Sequence, residues 1–428
     1  MSQMIPIVKG TRDFYPDDMR VLNHITRVWH KTATLYGFEE FDGPIMEALD
    51  IYKQKSGEEI VNQLYYFSDK AGREIALRPE LTPTLARLIV QKKTSIRKPI
   101  KWYSSGRFFR YERMQRGRKR EFFQWNLDIL GEDGVTAECE IIAACITAMK
   151  LYGLTSQDVV VKINDRRLLT QILFNLGINH TRMPKVFAAI DKKSKISETE
   201  LERMLATAGL TPAQTQKLID ILGKKSLDSL ANELLDNQEI REIIDKLRYL
   251  QSLLSAYRLA EFVQIDLSIV RGLDYYTGIV FEMFYKSENL RAICGGGRYD
   301  NLLTDFGGPP LSGVGMGMGD IVLAEILSEK RLLQDMHNGV DYYVVYFHEN
   351  QMQEAIRMCA TIRSKGLAAA YPLHALKMRK AIEEAAYFQA KHIIFLYEDE
   401  LKEGTILLRD MKTKNESKQL IHDFYNAL

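Results

Sequence analysis

Cysteine is scarce. The 428 residues carry four, Cys139, Cys145, Cys294 and Cys359, with no CxxC pair and no histidine-linked zinc spacing. That argues against a disulfide or zinc framework and for a reducing compartment where thiols serve as small apolar residues. Long apolar runs are missing too, so no segment is expected to cross a bilayer. The first ten residues lack a cationic segment followed by an apolar one, so no signal peptide is expected and the expected address is the cytoplasm. A large net charge is also absent. At +2 the chain has no global field that demands nucleic acid. What remains is an ordinary globular composition, 46% hydrophobic and 27% charged. At roughly 100–200 residues per domain it has room for two or three domains.

The local charge is less even. Between Lys92 and Arg120 lie twelve Lys or Arg and one acid, Glu112. Such a cluster suits phosphates of a nucleotide or a nucleic acid, although a solvated basic face would look the same. Its context favours structure. Trp102–Glu112 and Glu121–Leu130 read as two strands of an antiparallel hairpin around a basic loop. In the second strand Gln124, Asn126 and Asp128 share one face, and Trp125, Leu127 and Ile129 the other. Burying the three polar groups unpaired would cost about 1–3 kcal/mol each, so they face water or line a wet pocket. Arg110, Arg118 and Arg120 stand at the hairpin's edges, where they can hold phosphates.

Arg271-Gly-Leu-Asp-Tyr-Tyr-Thr-Gly278 is the most unusual stretch. Phe262–Val270 before it alternates with period two, and Gly278–Tyr285 after it is rich in β-branched and aromatic residues; both predict strands. The octapeptide between them is either a hairpin turn, with Arg271 paired to Asp274, or the edge of a pocket. In the second case it offers a cation to an anion and a phenol to a polar ring. Nearby glycines allow close approach: Gly295-Gly-Gly-Arg-Tyr-Asp300, and the small-residue strand Gly313–Gly319, which can admit a flat ligand. Neither is a dinucleotide-binding fingerprint, since no βαβ context surrounds them.

Elsewhere, Asp17 offers an N-cap to a helix with apolar positions from Val21 to Leu35 that stops at Gly37. That broad apolar face fits its own sheet or a second subunit. In Leu77-Arg-Pro-Glu-Leu-Thr-Pro-Thr84, Thr82 suits an N-cap and Pro83 the first helical position. Glu80 before them can grip an ammonium group or simply complement the helix dipole. Strand signals vanish over residues 167–257, where Ser197–Glu200 and Thr211–Gln214 read as capping boxes of a helical insertion. Lys192-Lys-Ser-Lys195 within it fits RNA contact or, more simply, a solvated loop. His337–Val340 reads as a linker, and strand–helix alternation after it predicts a separate small α/β domain.

Together these pieces resemble the class II aminoacyl-tRNA synthetases, and among them the histidine-specific family. Arg271–Gly278 is similar to that family's histidine signature. Leu77–Thr82, Phe109–Gln124 and Gly295–Asp300 are similar to its amino-acid-binding segment, its second motif and its second histidine-binding segment. The resemblance implies an α+β fold: the class II synthetase antiparallel sheet flanked by helices, with a helical insertion and a C-terminal α/β anticodon-binding domain. Residues 1–166 and 258–334 would form the catalytic core, 167–257 the insertion and 338–428 the anticodon domain. It implies a homodimer that uses ATP with Mg2+, L-histidine and tRNA(His), with no protein-held metal and no membrane.

The family's roles carry over by position. Glu80, Leu81, Thr82 and Gln124 would hold the histidine amino end. Asp128 and Tyr276 would read the imidazole, with Tyr275 and Tyr299 shaping its pocket. Arg110 and Arg271 would grip the α-phosphate as catalytic residues. Glu112 and Arg118 would hold ATP, while Arg113 and Gln115 would meet the tRNA acceptor end. One departure stands out. The family's third motif usually ends Gly-Leu-Glu-Arg, with its arginine on the γ-phosphate. Here Gly319-Asp-Ile-Val322 replaces it, and a valine cannot bind phosphate. Arg118 or Arg120 are the sequence candidates for holding the outer phosphates. The same loss fits an alternative, a non-charging regulatory subunit of histidine biosynthesis, but the intact signature and the C-terminal domain favour the ligase.

Overall fold

The computed structural model describes residues 5–53, 62–92, 95–193, 196–224, 226–234, 237–271, 275–287, 290–333 and 339–428. It divides into two compact units, residues 1–334 and 335–428.

The first unit is built on an eight-stranded sheet. Its strands are β1 (Glu39–Glu40), β5 (Ile100–Phe109), β6 (Glu121–Leu130), β7 (Val159–Asp165), β8 (Val263–Ile265), β9 (Ile279–Tyr285), β10 (Cys294–Arg298) and β11 (Gly313–Gly319). Their order is β1-β5-β6-β11-β10-β9-β7-β8. The six inner strands are antiparallel, and the two edge strands pair in parallel with their neighbours. This is the α+β sheet implied by the resemblance. A small antiparallel sheet of β2 (Met46–Ala48), β3 (Tyr65–Ser68) and β4 (Glu74–Leu77) stands apart, in the order β2-β4-β3.

Period two decides the layers. Trp125, Leu127 and Ile129 of β6 and Val314, Met316 and Met318 of β11 enter one core with the helices Pro16–Leu35 and Thr136–Leu151. Trp29 of the first helix stacks on Trp125, with ring centroids 6.3 Å apart. The broad apolar face of that helix is therefore spent on its own sheet. Its start differs from expectation: Pro16 opens it, and Asp18 rather than Asp17 accepts the Tyr15 N–H at 3.1 Å.

The insertion is helical. Among its described helices, Glu198–Thr207 and Pro212–Leu222 begin at Ser197 and Thr211, whose hydroxyls accept the Glu200 and Gln214 N–H groups. Leu201, Leu205 and Leu218 join the main apolar core. Part of Lys192–Lys195 lies outside the described residues, as do His337 and Asn338.

The structure shortens the expected strand after Phe262 and rules out the hairpin alternative for residues 262–285. The strand after Phe262 ends at Ile265, because Asp266 accepts the Ser268 N–H and hydroxyl and turns the chain. β8 and β9 form no hairpin, since β7 lies between them. The second unit has β12 (Tyr342–Tyr346), β13 (Ala369–Ala370), β14 (His392–Leu396), β15 (Thr405–Asp410) and β16 (Glu416–Leu420), ordered β13-β12-β14-β15-β16. The strand at Glu416–Leu420 and the helix after it were not legible. Its exposed polar residues carry no apolar period.

Candidate active site

The face of the large sheet opposite the helices carries a cavity of about 1500 Å³. Its floor is backbone. Gly315 and Gly317 of β11 pair with Gly297 and Gly295 of β10. A Cβ added at Gly315 would stand 2.2 Å from Asp128 Oδ1, one at Gly317 2.5 Å from Gln124 Nε2, and one at Gly295 2.2 Å from Arg271 Nη1. Functional side chains from β6 and from the segment before β9 thus lie flat over glycine. Gly296 faces the other way, with the Gly315 carbonyl oxygen 2.2 Å from its would-be Cβ.

Two of the three polar residues of β6 meet the expectation of a wet pocket, and the third, Asp128, is instead buried and paired. Gln124 and Asn126 line the cavity, and Gln124 Nε2 donates to Asn126 Oδ1 at 2.6 Å. Asp128 sits deeper, 3% exposed, and accepts the Tyr299 hydroxyl at 2.5 Å. Burial pushes its carboxyl up to about 7, against the Tyr299 hydrogen bond and with Glu80 adding to the rise. Tyr299 in turn is held by its neighbour. Arg298 makes a bidentate pair with the buried Glu138 at 2.6 and 2.7 Å on the reverse side of the sheet.

Glu80, Thr82, Tyr275 and Tyr276 line the same cavity. Tyr275 donates to Glu80 Oε2 at 3.2 Å, and its ring centroid lies 4.9 Å from that of Tyr276. The helix starts at Thr82 itself, so Leu81 is the N-cap residue; it is buried and is not among the residues lining the cavity. Arg110 and Arg271 both open on the cavity. Arg110 Nε donates to the Pro79 carbonyl at 2.9 Å, which ties it to the Glu80 segment. Arg271 has φ +57°, a left-handed conformation that costs a non-glycine residue of the order of 1 kcal/mol or more. Its Nη1 donates to Glu282 Oε1 at 2.8 Å, and Nη2 reaches the Tyr276 hydroxyl at 3.5 Å. Among the described residues, Arg271 Nε and Asn126 Nδ2 are buried donors with no acceptor, so the cavity fits a ligand that brings acceptor oxygens. Asp274, the alternative partner for Arg271, lies outside the described residues.

The basic loop closes one end. Glu112, Gln115 and Arg118 line the cavity, with Arg118 Nε 2.5 Å from Glu112 Oε2. Arg116 Nε and the Gly117 N–H both bond the Glu325 carboxylate. Arg113 is exposed beside the cavity's lining residues and is not among them. Arg120 turns away. Its guanidinium lies 3.8 Å from the Tyr111 ring centroid and Nε donates to the Glu112 carbonyl, which removes it as a candidate for the outer phosphates. Asp128 is paired with Tyr299, and the Tyr276 hydroxyl faces Arg271. Glu282 was missed, though one acid in the otherwise apolar strand Ile279–Tyr285 was a usable signal.

The histidyl-tRNA synthetase family model matches residues 10–319. The chain belongs to the histidyl-tRNA synthetase family. It is 40% identical over 401 residues to the chloroplastic/mitochondrial histidine–tRNA ligase of Arabidopsis thaliana, covering 94% of this chain and 82% of that one. It is 39% identical to the histidine–tRNA ligase of Opitutus terrae, covering 98% of each. The fold matches the crystal structure of histidyl-tRNA synthetase from Nostoc sp. with a TM-score of 0.85 at 23% identity, covering 100% of this chain and 99% of that one. All the residues lining the cavity except Ile321 and Val322 lie within the matched segment.

Proposed function

We propose that the chain is a histidine–tRNA ligase that forms histidyl-adenylate from L-histidine and ATP and passes the histidyl group to the 3′ end of tRNA(His). The observation that carries this reading is the meeting of Arg110, Arg271, Glu80 and Gln124 around one cavity, with Arg271 and Gln124 lying over its glycine floor, in a chain of this family. Glu80, Thr82 and Gln124 hold the histidine ammonium group, and the Leu81 backbone sets their positions. Asp128, oriented by Tyr299, and Tyr276 read the two ring nitrogens, while Tyr275 walls the ring. An isostere without those nitrogens would strand buried polar groups, which gives selectivity without editing.

The histidine carboxylate oxygen attacks the α-phosphorus in line, a P–O bond forms and pyrophosphate leaves with the electrons of the bond that breaks. Charge grows on the non-bridging oxygens, where Arg110 and Arg271 stabilise the transition state more than the ground state. Glu112 and Arg118 hold the nucleotide, whose outer phosphates carry Mg2+ as part of the substrate. A terminal ribose hydroxyl of tRNA then attacks the histidyl carbonyl and AMP leaves. Arg113 and Gln115 on the basic loop meet that acceptor end, and the second unit serves as the anticodon-binding domain.

We further infer a cytoplasmic homodimer. Four unpaired cysteines support the compartment, and exposed Ile45, Met46, Tyr66 and Phe67 on and beside the small sheet offer apolar surface for a second copy. No helix among the described residues is long and apolar enough to cross a membrane. The regulatory-subunit reading is not favoured, because relatives named as ligases match over nearly the whole chain. Charging of tRNA(His) with radiolabelled histidine tests the proposal. Histidine binding without any charging would overturn it in favour of the regulatory reading.

A further inference from the structure

The third motif here ends in a valine, so some other group must meet the outer phosphates of the nucleotide. Val322 is 6% exposed and lines the cavity at the end closed by the basic loop. A Cβ built on Gly117 of that loop would stand 3.0 Å from Val322 Cγ2 and 4.0 Å from Arg291 Cγ. Arg291 and Val322 therefore flank one point of the loop, and Arg291 lines the cavity as well. Arg291 comes from the connection into β10, four residues before Gly295, over which Arg271 lies. At about 3.3 Å per residue the two positions are at most ~13 Å apart along the chain. A triphosphate between two arginine side chains spans that distance.

Lys119 also lines the cavity at this end and is exposed, but the side chains standing against Gly117 are those of Val322 and Arg291. Three arginines of the loop are committed elsewhere. Arg116 bonds Glu325, Arg118 is paired with Glu112, and Arg120 lies on Tyr111 outside the cavity. We propose that Arg291 is the cation that binds the β- and γ-phosphates of ATP, in place of the arginine that Val322 displaces. The role rests on the ATP-dependent reading above. A guanidinium suits it because it stays charged and donates two parallel hydrogen bonds to phosphate oxygens.

Steady-state histidine-dependent pyrophosphate exchange on the full chain, which requires no tRNA, tests this with Arg291→Ala and Arg291→Lys. The expected result is a KM for ATP raised about 10- to 100-fold in the alanine variant, with a smaller rise for lysine. Inhibition by AMP, which lacks the outer phosphates, and the Kd for histidine should stay within about twofold. A merely structural role would weaken AMP, ATP and histidine together, and that result overturns the proposal. So does an unchanged KM for ATP. Unchanged exchange with reduced tRNA charging would assign Arg291 to the RNA instead. No exchange by the unaltered chain would remove the ligase reading and this inference with it.

Discussion

At the residue scale the site is a set of charges whose neighbours fix their state. Arg271 is held in a left-handed backbone conformation and against Glu282, so its guanidinium is oriented before any substrate arrives. Arg271→Ala should lower histidine-dependent pyrophosphate exchange by at least about 100-fold, the usual cost of losing a charge-stabilising group at a transition state. Its thermal unfolding midpoint should stay close to that of the parent. Exchange at the parental rate would remove Arg271 from catalysis. Asp128 gives a pH signature. Its carboxyl sits near 7 in the fold, mainly through burial, against an ordinary value of 3.8. Between about pH 4 and 7 the unfolded chain has lost a proton that the folded chain keeps, so stability falls as pH rises through that window and levels off above it. Asp128→Asn should remove that part of the slope in urea midpoints measured from pH 4.5 to 8. It should also weaken histidine binding about 10- to 100-fold while ATP is little affected. An unchanged slope would mean that Asp128 is ionised throughout.

At the scale of elements, the site is legible where side chains alternate and illegible where backbone does the work. The period of β6 put Gln124, Asn126 and Asp128 on one polar face, and the cavity lies along its Gln124 and Asn126 end, with Asp128 buried beyond it. The basic cluster likewise marked the loop at the cavity's end, although only contacts in space separate Arg118, which faces the cavity, from Arg120, which does not. The strand expected over residues 262–270 was cut short because one Asp–Ser turn outweighs a good alternating pattern. Pairing of β7 with β8 and β9 depends on partners more than 90 residues away in sequence, which no local pattern encodes. The glycines of β10 and β11 were visible, but their division of labour was not. Gly317 faces the cavity, where an added methyl meets the movable end of Gln124, whereas Gly296 faces backbone. Gly317→Ala should therefore fold and lose histidine affinity, while Gly296→Ala should lose about 2 kcal/mol or more of stability through overpacking. Denaturant titration with histidine binding separates the two, and equal stability losses at both positions would contradict this picture of the floor.

At the scale of the molecule, the apolar clusters of the described residues divide at the same place as the chain. One set draws only on residues up to Leu333, the other only on residues from Val340 onward. Every residue lining the cavity belongs to the first unit. The switch from an antiparallel sheet with long insertions to short strand–helix alternation was readable because periodicity changes there, whereas the boundary itself sits on residues whose structure is not described. Adenylate formation needs only the first unit if its core is self-sufficient, while charging also needs tRNA held at a second point. A chain ending at Leu333 should therefore exchange pyrophosphate within about threefold of the full chain. Its charging of tRNA(His) should fall by about 100-fold or more, because the acceptor end is no longer delivered by binding elsewhere. Loss of exchange together with unfolding would show that the last ninety-odd residues complete the first core. Undiminished charging would show that they do not bind tRNA.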